Sequence, residues 1–196
     1  MTHRIIHNGT LTSPQGFSAG AIFADIKAWK EKLFDLTILY SEVPCAIAGV
    51  FTTNKIKAAP VILCQDRASK GSAQALVANS GCANACTSEQ GLADAEQMAS
   101  LTAAKLNIAP RDVLVASTGV IGNHLPMDRI ERGIERIELS TDGGHNFAQA
   151  IMTTDTVSKE IAVEFEIDGH QVAIGGVAKG AGMIHPNMAT MLCFVT

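Results

Sequence analysis

Hydrophobic residues along this chain follow two rhythms, and each rhythm predicts a kind of element. Leu92, Ala95, Ala99, Thr102 and Leu106 recur at spacings of three and four, which is one face of a helix. Thr87-Ser-Glu-Gln90 precedes them with the spacing of a capping box, and Pro110 closes the helix. Glu89, Asp94, Glu96 and Lys105 are then expected on its solvated sides. Met127, Ile130, Ile134 and Ile137 form a second helical stripe, opened by Pro126 and stopped by Gly143-Gly144. His145 to Met152 reads as a third, shorter helix that delivers Thr153-Thr-Asp-Thr156.

Short apolar and β-branched runs read as strands. They cover Phe34 to Tyr40 and Ala46 to Thr53, split by a turn at Pro44, then Ala75 to Ala78 and Met191 to Val195. A further strand begins at Val113 and ends in Ser117-Thr118-Gly119. Ile161 to Ile167 and Gln171 to Val177 alternate on either side of Asp168-Gly169, the signal of a hairpin with a type I′ turn. Ser13-Pro-Gln-Gly16 is a β-turn candidate, and Ala28 to Leu33 reads as a solvated excursion. Helices interleaved with strands make this an α/β chain.

Composition narrows the class. With 196 residues and 47% hydrophobic, residues 1–196 can bury the core of a single α/β domain. A net charge of −4 and the lack of any basic run argue against nucleic acid as a partner. No stretch reaches the roughly 18 apolar residues that read as a membrane span. Met1 to Thr12 lacks the basic region and apolar core of a signal peptide, so a cytoplasmic location is expected. The five cysteines are odd in number, and Cys82 and Cys86 lack the second pair a zinc site needs. Buried or semi-buried thiols in a reducing compartment, with no metal, are expected.

The candidate chemistry gathers in Lys179-Gly-Ala-Gly-Met-Ile-His-Pro-Asn-Met-Ala-Thr-Met-Leu192. Glycines and a proline deny it regular structure, and an apolar strand follows. Thr190 thus stands at the mouth of a strand behind an irregular loop, where a nucleophile can be displayed; β-propensity or loop capping would place a threonine there too. Thr118-Gly119, at a strand end, can leave backbone amides free for an oxyanion, or can be only a turn. Asn79-Ser-Gly-Cys-Ala-Asn-Ala85 fits either a site wall or close packing. Asp155 fits a capping or turn role. His124 lacks an orienting acid and is not expected to act as a base.

These segments, with Gly49 to Asn54 and Ala58 to Val61, resemble the ornithine acetyltransferase (glutamate N-acetyltransferase) family of arginine biosynthesis over nearly the whole chain. The resemblance implies a layered α/β/β/α sandwich, self-cleaving by the logic of N-terminal nucleophiles. Cleavage would fall between Ala189 and Thr190, giving an α chain of residues 1–189 and a β chain that starts with residues 190–196. Thr190 would become the nucleophile, Thr118 and Gly119 the oxyanion hole, and Thr153, Lys179 and Thr190 the substrate ligands. The implied reaction moves acetyl from N2-acetyl-L-ornithine to L-glutamate with no cofactor, acetyl-CoA being the further donor of the family's bifunctional variant. The implied partner is the protein's own β chain, in an α2β2 heterotetramer. The family continues well past Thr196, so this chain is expected to be an uncut precursor or a fragment, inactive alone, with an open edge at strand 191–195. The rival expectations are a self-cleaving N-terminal-nucleophile amidohydrolase or aminopeptidase, with water as acceptor, and an inactive fragment.

Overall fold

A computed structural model describes residues 3–27, 32–182 and 191–196. Their strands divide into two four-stranded sheets. The first contains β2 (Phe17–Ile22), β3 (Leu36–Ala46), β4 (Ser72–Cys82) and β5 (Val113–Val120), in that order. The second orders β1 (His3–Ile5), β6 (Lys159–Ile167), β7 (His170–Lys179) and β8 (Leu192–Val195), all antiparallel. In the first sheet only β4 and β5 run parallel. A parallel pair needs a long crossover, and α2 (Ser88–Leu106) supplies it.

α1 (Ala59–Ser69), α2 and α3 (Met127–Arg136) cover one face of the first sheet. Leu36, Ile38, Val77, Met98, Val113 and Ile130 are buried in that layer. The other face meets the second sheet across a smaller core of Leu11, Leu39, Leu76, Phe147 and Val177. α4 (Gly144–Ala150) inserts Phe147 there, edge-on to Phe194 of β8 at a ring separation of 5.7 Å. The result is a layered α/β sandwich. With both faces covered, β4 is buried without interruption from Ala75 to Ser80. The far face of the second sheet carries the exposed Ile5, Ile161, Ile174 and Val195. No helix among the described residues is long and apolar enough to cross a membrane.

The hairpin is as expected: Asp168 and Gly169 have φ of 50° and 80°, the paired positive values of a type I′ turn. Several expectations need correction. Ala46 to Thr53 is not a strand; β3 instead runs through Pro44 to Ala46. β2 pairs with β3 only as far as Ser41, and a register shift lies between Tyr40 and Cys45, so Pro44 sits on locally unpaired edge where its missing N–H costs no ladder bond. α1, β1 and β2 had no sequence signal strong enough to predict them.

The long helix is where expected, but its stripe is rotated to Gly91, Ala95, Met98, Ala99, Thr102 and Ala103, and Leu92 is exposed. Asp94 is buried, accepting from Gln90 at 2.7 Å, and Glu96 pairs with the buried Arg67. No capping box forms, because the Thr87 hydroxyl bonds the Asn84 side chain at 2.7 Å. The Met127 helix stops at Arg136, and Gly144 begins α4 instead of ending the helix before it. Cys86 and Cys193 are exposed rather than buried.

Phe147 is fully buried and touches β8, so Phe147→Ala should cost about 3–5 kcal/mol of stability. Urea unfolding measures this; a loss below about 1 kcal/mol would mean that the inter-sheet core closes around the gap.

Candidate active site

Alternation along two strands builds the site. On β7, Val177 enters the inter-sheet core, and Lys179, two residues on, points into the same layer. On β5, Ala116 enters that core and Thr118 follows it inward. The two strand ends therefore meet between the sheets. Lys179 Nζ donates to Thr118 Oγ1 at 2.8 Å and to Thr153 Oγ1 at 3.2 Å. Lys179 is 4% exposed and Thr118 8%.

An ammonium group can only donate, so both hydroxyl oxygens accept from Lys179 and both keep their own protons for another partner. The site therefore presents two O–H donors fixed on a buried cation. Such an arrangement suits a group that develops negative charge. Burial pushes the Lys179 ammonium below its ordinary value of 10.5; Asp155 opposes that shift, and Lys159 adds to it.

Gly119 has φ of +134°, and a Cβ there would lie 2.3 Å from the carbonyl carbon of Gly81. Gly81 in turn lies against Lys27, whose Cα would be 2.7 Å from an added Cβ. Only glycine at both positions lets these backbones stack. Lys27, missed in the sequence, is 8% exposed and donates to the Phe34 carbonyl at 2.9 Å. Its loop is wrapped on the fully buried Asp35 carboxylate, which accepts from the amides of Ala24, Ile26 and Lys27. Burial lowers the Lys27 pKa, Asp35 works against this, and the Lys179 charge adds to it.

Asp155 also does more than expected. Its Oδ1 accepts from the Gly180 amide at 2.8 Å and pairs with Lys159, while Oδ2 accepts weakly from the Thr153 amide at 3.5 Å. Burial alone would raise its pKa, but the Lys159 hydrogen bond and the two amides outweigh burial and hold it low. A single positive-φ glycine, Gly180 at 140°, then leads out of β7 toward the segment carrying Ala189 and Thr190. Residues 183–190, with both of those positions, lie outside the described residues.

The Asn79–Ala85 segment packs tightly, and its Gly81 also stacks on Gly119 of the candidate site. Asn79 and Asn84 are fully buried; Asn79 donates to the Cys82 carbonyl, and Asn84 to the Gly91 carbonyl at 2.8 Å. His124 is exposed. No group of three potential metal ligands occurs among the described residues.

Two stacked sheets, helices packed on one of them and a lysine bridging two threonines at their shared end define a layered α/β sandwich with a built polar site. The chain belongs to the ArgJ family, whose family model matches residues 18–196. It is 57% identical over 192 residues to the "Arginine biosynthesis bifunctional protein ArgJ" of Dehalococcoides mccartyi, covering 98% of this chain and 47% of that protein. The protein of the same name from Symbiobacterium thermophilum is 56% identical over 190 residues, again with 47% of its length covered. The chain thus spans about half the length of these relatives. Among solved structures, the argJ protein of Bacillus halodurans superposes with a TM-score of 0.90 at 43% identity, covering 97% of this chain and 98% of that one. The ornithine acetyltransferase of Mycobacterium tuberculosis, complexed with ornithine, gives 0.88 at 39% identity over 97% of this chain and 100% of that one.

Because the folded-state pKa of Lys179 lies below 10.5, the unfolded chain binds more protons between those two values. Stability contributed at this position should therefore rise with pH through that window and level off above it. Comparing the unfolding free energy of wild type and Lys179→Met from about pH 7 to about pH 10 isolates the slope; parallel curves would show an undisturbed lysine.

Proposed function

We propose that this chain is the N-terminal portion of a cytoplasmic, self-cleaving acyltransferase. It moves acetyl from N2-acetyl-L-ornithine to L-glutamate through an acetyl-Thr190 intermediate. The observation that carries this reading is the buried Lys179 bridging Thr118 and Thr153 at the end of β7, the strand that feeds the segment with Thr190. A second supports it. The solved argJ chain from Bacillus halodurans is about as long as this one, whereas the curated relatives are about twice as long. That ratio fits a protein divided near the middle.

Maturation in this reading begins when the Thr190 hydroxyl attacks the Ala189 carbonyl. The acyl group passes from nitrogen to oxygen, and water hydrolyses the ester. The products are a carboxylate on Ala189 and a free α-amine on Thr190. That amine has an ordinary pKa of roughly 7.7–8.0, suited to general-base work near neutral pH. A threonine hydroxyl is a weak nucleophile without such a base.

In the first half-reaction the amine takes the hydroxyl proton while Oγ attacks the acetyl carbonyl of N-acetylornithine. Thr118 and Gly119 stabilise the oxyanion, Thr153 and Lys179 hold substrate, and collapse passes the proton to departing ornithine. In the second, the glutamate amine attacks the acetyl ester and Thr190 is regenerated. Acetyl-CoA is an alternative donor to the same hydroxyl, and no cofactor is required. The missing half of the polypeptide completes the site as a β chain, in an α2β2 assembly.

Intact-mass analysis of the full-length protein tests this directly. Wild type should separate at Ala189–Thr190 and gain one acetyl group on the Thr190 fragment with N-acetylornithine, removable by glutamate. Thr190→Ala should stay one uncut polypeptide. If that variant still separated into two pieces, or if water discharged the adduct as fast as glutamate, the assignment would be wrong. Thr118→Val should lower kcat about 100- to 1000-fold, as loss of one oxyanion donor typically does.

A further inference from the structure

We infer that Asp155 is a positioning residue for this site: its carboxylate fixes where the segment bearing Thr190 leaves β7 and supplies the counter-charge beside Lys179. The inference rests on the proposed role of that segment. Nothing in the Thr118, Thr153 or Lys179 assignments includes Asp155.

Three parts of the chain converge on this one side chain. Oδ1 accepts from the Gly180 amide at 2.8 Å, immediately after β7 and at the glycine with φ of 140°. The same oxygen pairs with Lys159, the first residue of β6. Oδ2 reaches back to the Thr153 amide, and the Thr153 hydroxyl is held by Lys179. The Asp155 side chain is 1% exposed, whereas its partner Lys159 is 43% exposed. A buried carboxylate held by one charge and two amides is fixed in place, and so is the backbone it grips. Gly180 would otherwise be free to rotate, since glycine accepts many backbone conformations. The grip thus sets the direction in which the chain leaves β7 at Gly180.

The charge acts on the same site. Other cations bear on this group: Lys159 lowers the Lys179 pKa, and the Lys179 charge lowers that of Lys27. Asp155 is the acidic group that offsets them. An opposite charge nearby commonly moves a pKa by 1–3 units. Without Asp155, Lys179 would give up its proton at lower pH and stop ordering the Thr118 and Thr153 hydroxyls.

Asp155→Asn and Asp155→Glu in the full-length protein test this. The Asn variant should mature at least about tenfold more slowly, and once matured its kcat/KM profile should lose its alkaline limb about one pH unit earlier, with the acid limb unmoved. The Glu variant keeps the charge on a longer arm, so its maturation should slow while the alkaline limb stays in place. If the Asn variant does not fold, the Glu variant alone decides: wild-type maturation would overturn the inference. A profile that falls uniformly in the Asn variant, with both limbs fixed, would also overturn it, since that is what a purely structural residue gives. Failure of the wild-type protein to mature would instead defeat the underlying reading, so the two failures are told apart.

Discussion

A lysine ammonium held between two β-sheets is the constraint on which the rest of this structure depends. Lys179 belongs to the second sheet and Thr118 to the first, and the 2.8 Å bond between them crosses the inter-sheet layer. Burying a cation is unfavourable unless hydrogen bonds replace its hydration, and hydrogen bonds to charged groups contribute roughly 1.5–3 kcal/mol each. The protein supplies two hydroxyls and a nearby carboxylate. That arrangement restricts both sheets, because moving either strand end by an ångström would break the bridge.

The neighbouring glycines serve the same constraint from below. Beside Thr118, β5 and β4 close tightly at Gly119 and Gly81, where no side chain would fit. Lys27 then packs on Gly81, anchored through a loop folded around Asp35. On the far side of the bridge, Phe147 and Phe194 fill the inter-sheet core and brace β8 against α4. Tight backbone contact on one side and aromatic packing on the other leave the charged cluster little room to relax. In the proposed reaction that rigidity matters, since an oxyanion site gains most from donors that need not reorganise.

The chemistry-bearing residues were legible because their neighbours are small and unusual for their setting. A lysine ending an alternating strand, and Thr-Gly ending an apolar one, are visible in the linear chain. The resemblance then singled out Thr118, Thr153 and Lys179, and the fold brings those three into contact. Asp155 was legible only as a turn residue. Its bonds to Gly180 and Lys159 join segments that no local pattern connects. Lys27 gave no signal, being one lysine just before a stretch that reads as solvated.

Sequence by itself determined the elements with strong periodicity: the Ser88–Leu106 helix, the hairpin at Asp168-Gly169, and strands β4 to β8 at their centres. These depend on neighbours a few residues away, and local spacing records such neighbours. Tertiary structure alone decided which face of α2 is buried, that Asp94 lies inside, that β3 continues through Pro44, and that β1, β2 and α1 form at all. Each of those outcomes depends on contacts with residues distant in the chain. Burial of a particular face, like the pairing of an edge strand, is set by what the fold places opposite it, and that information is not carried at any single stretch of sequence.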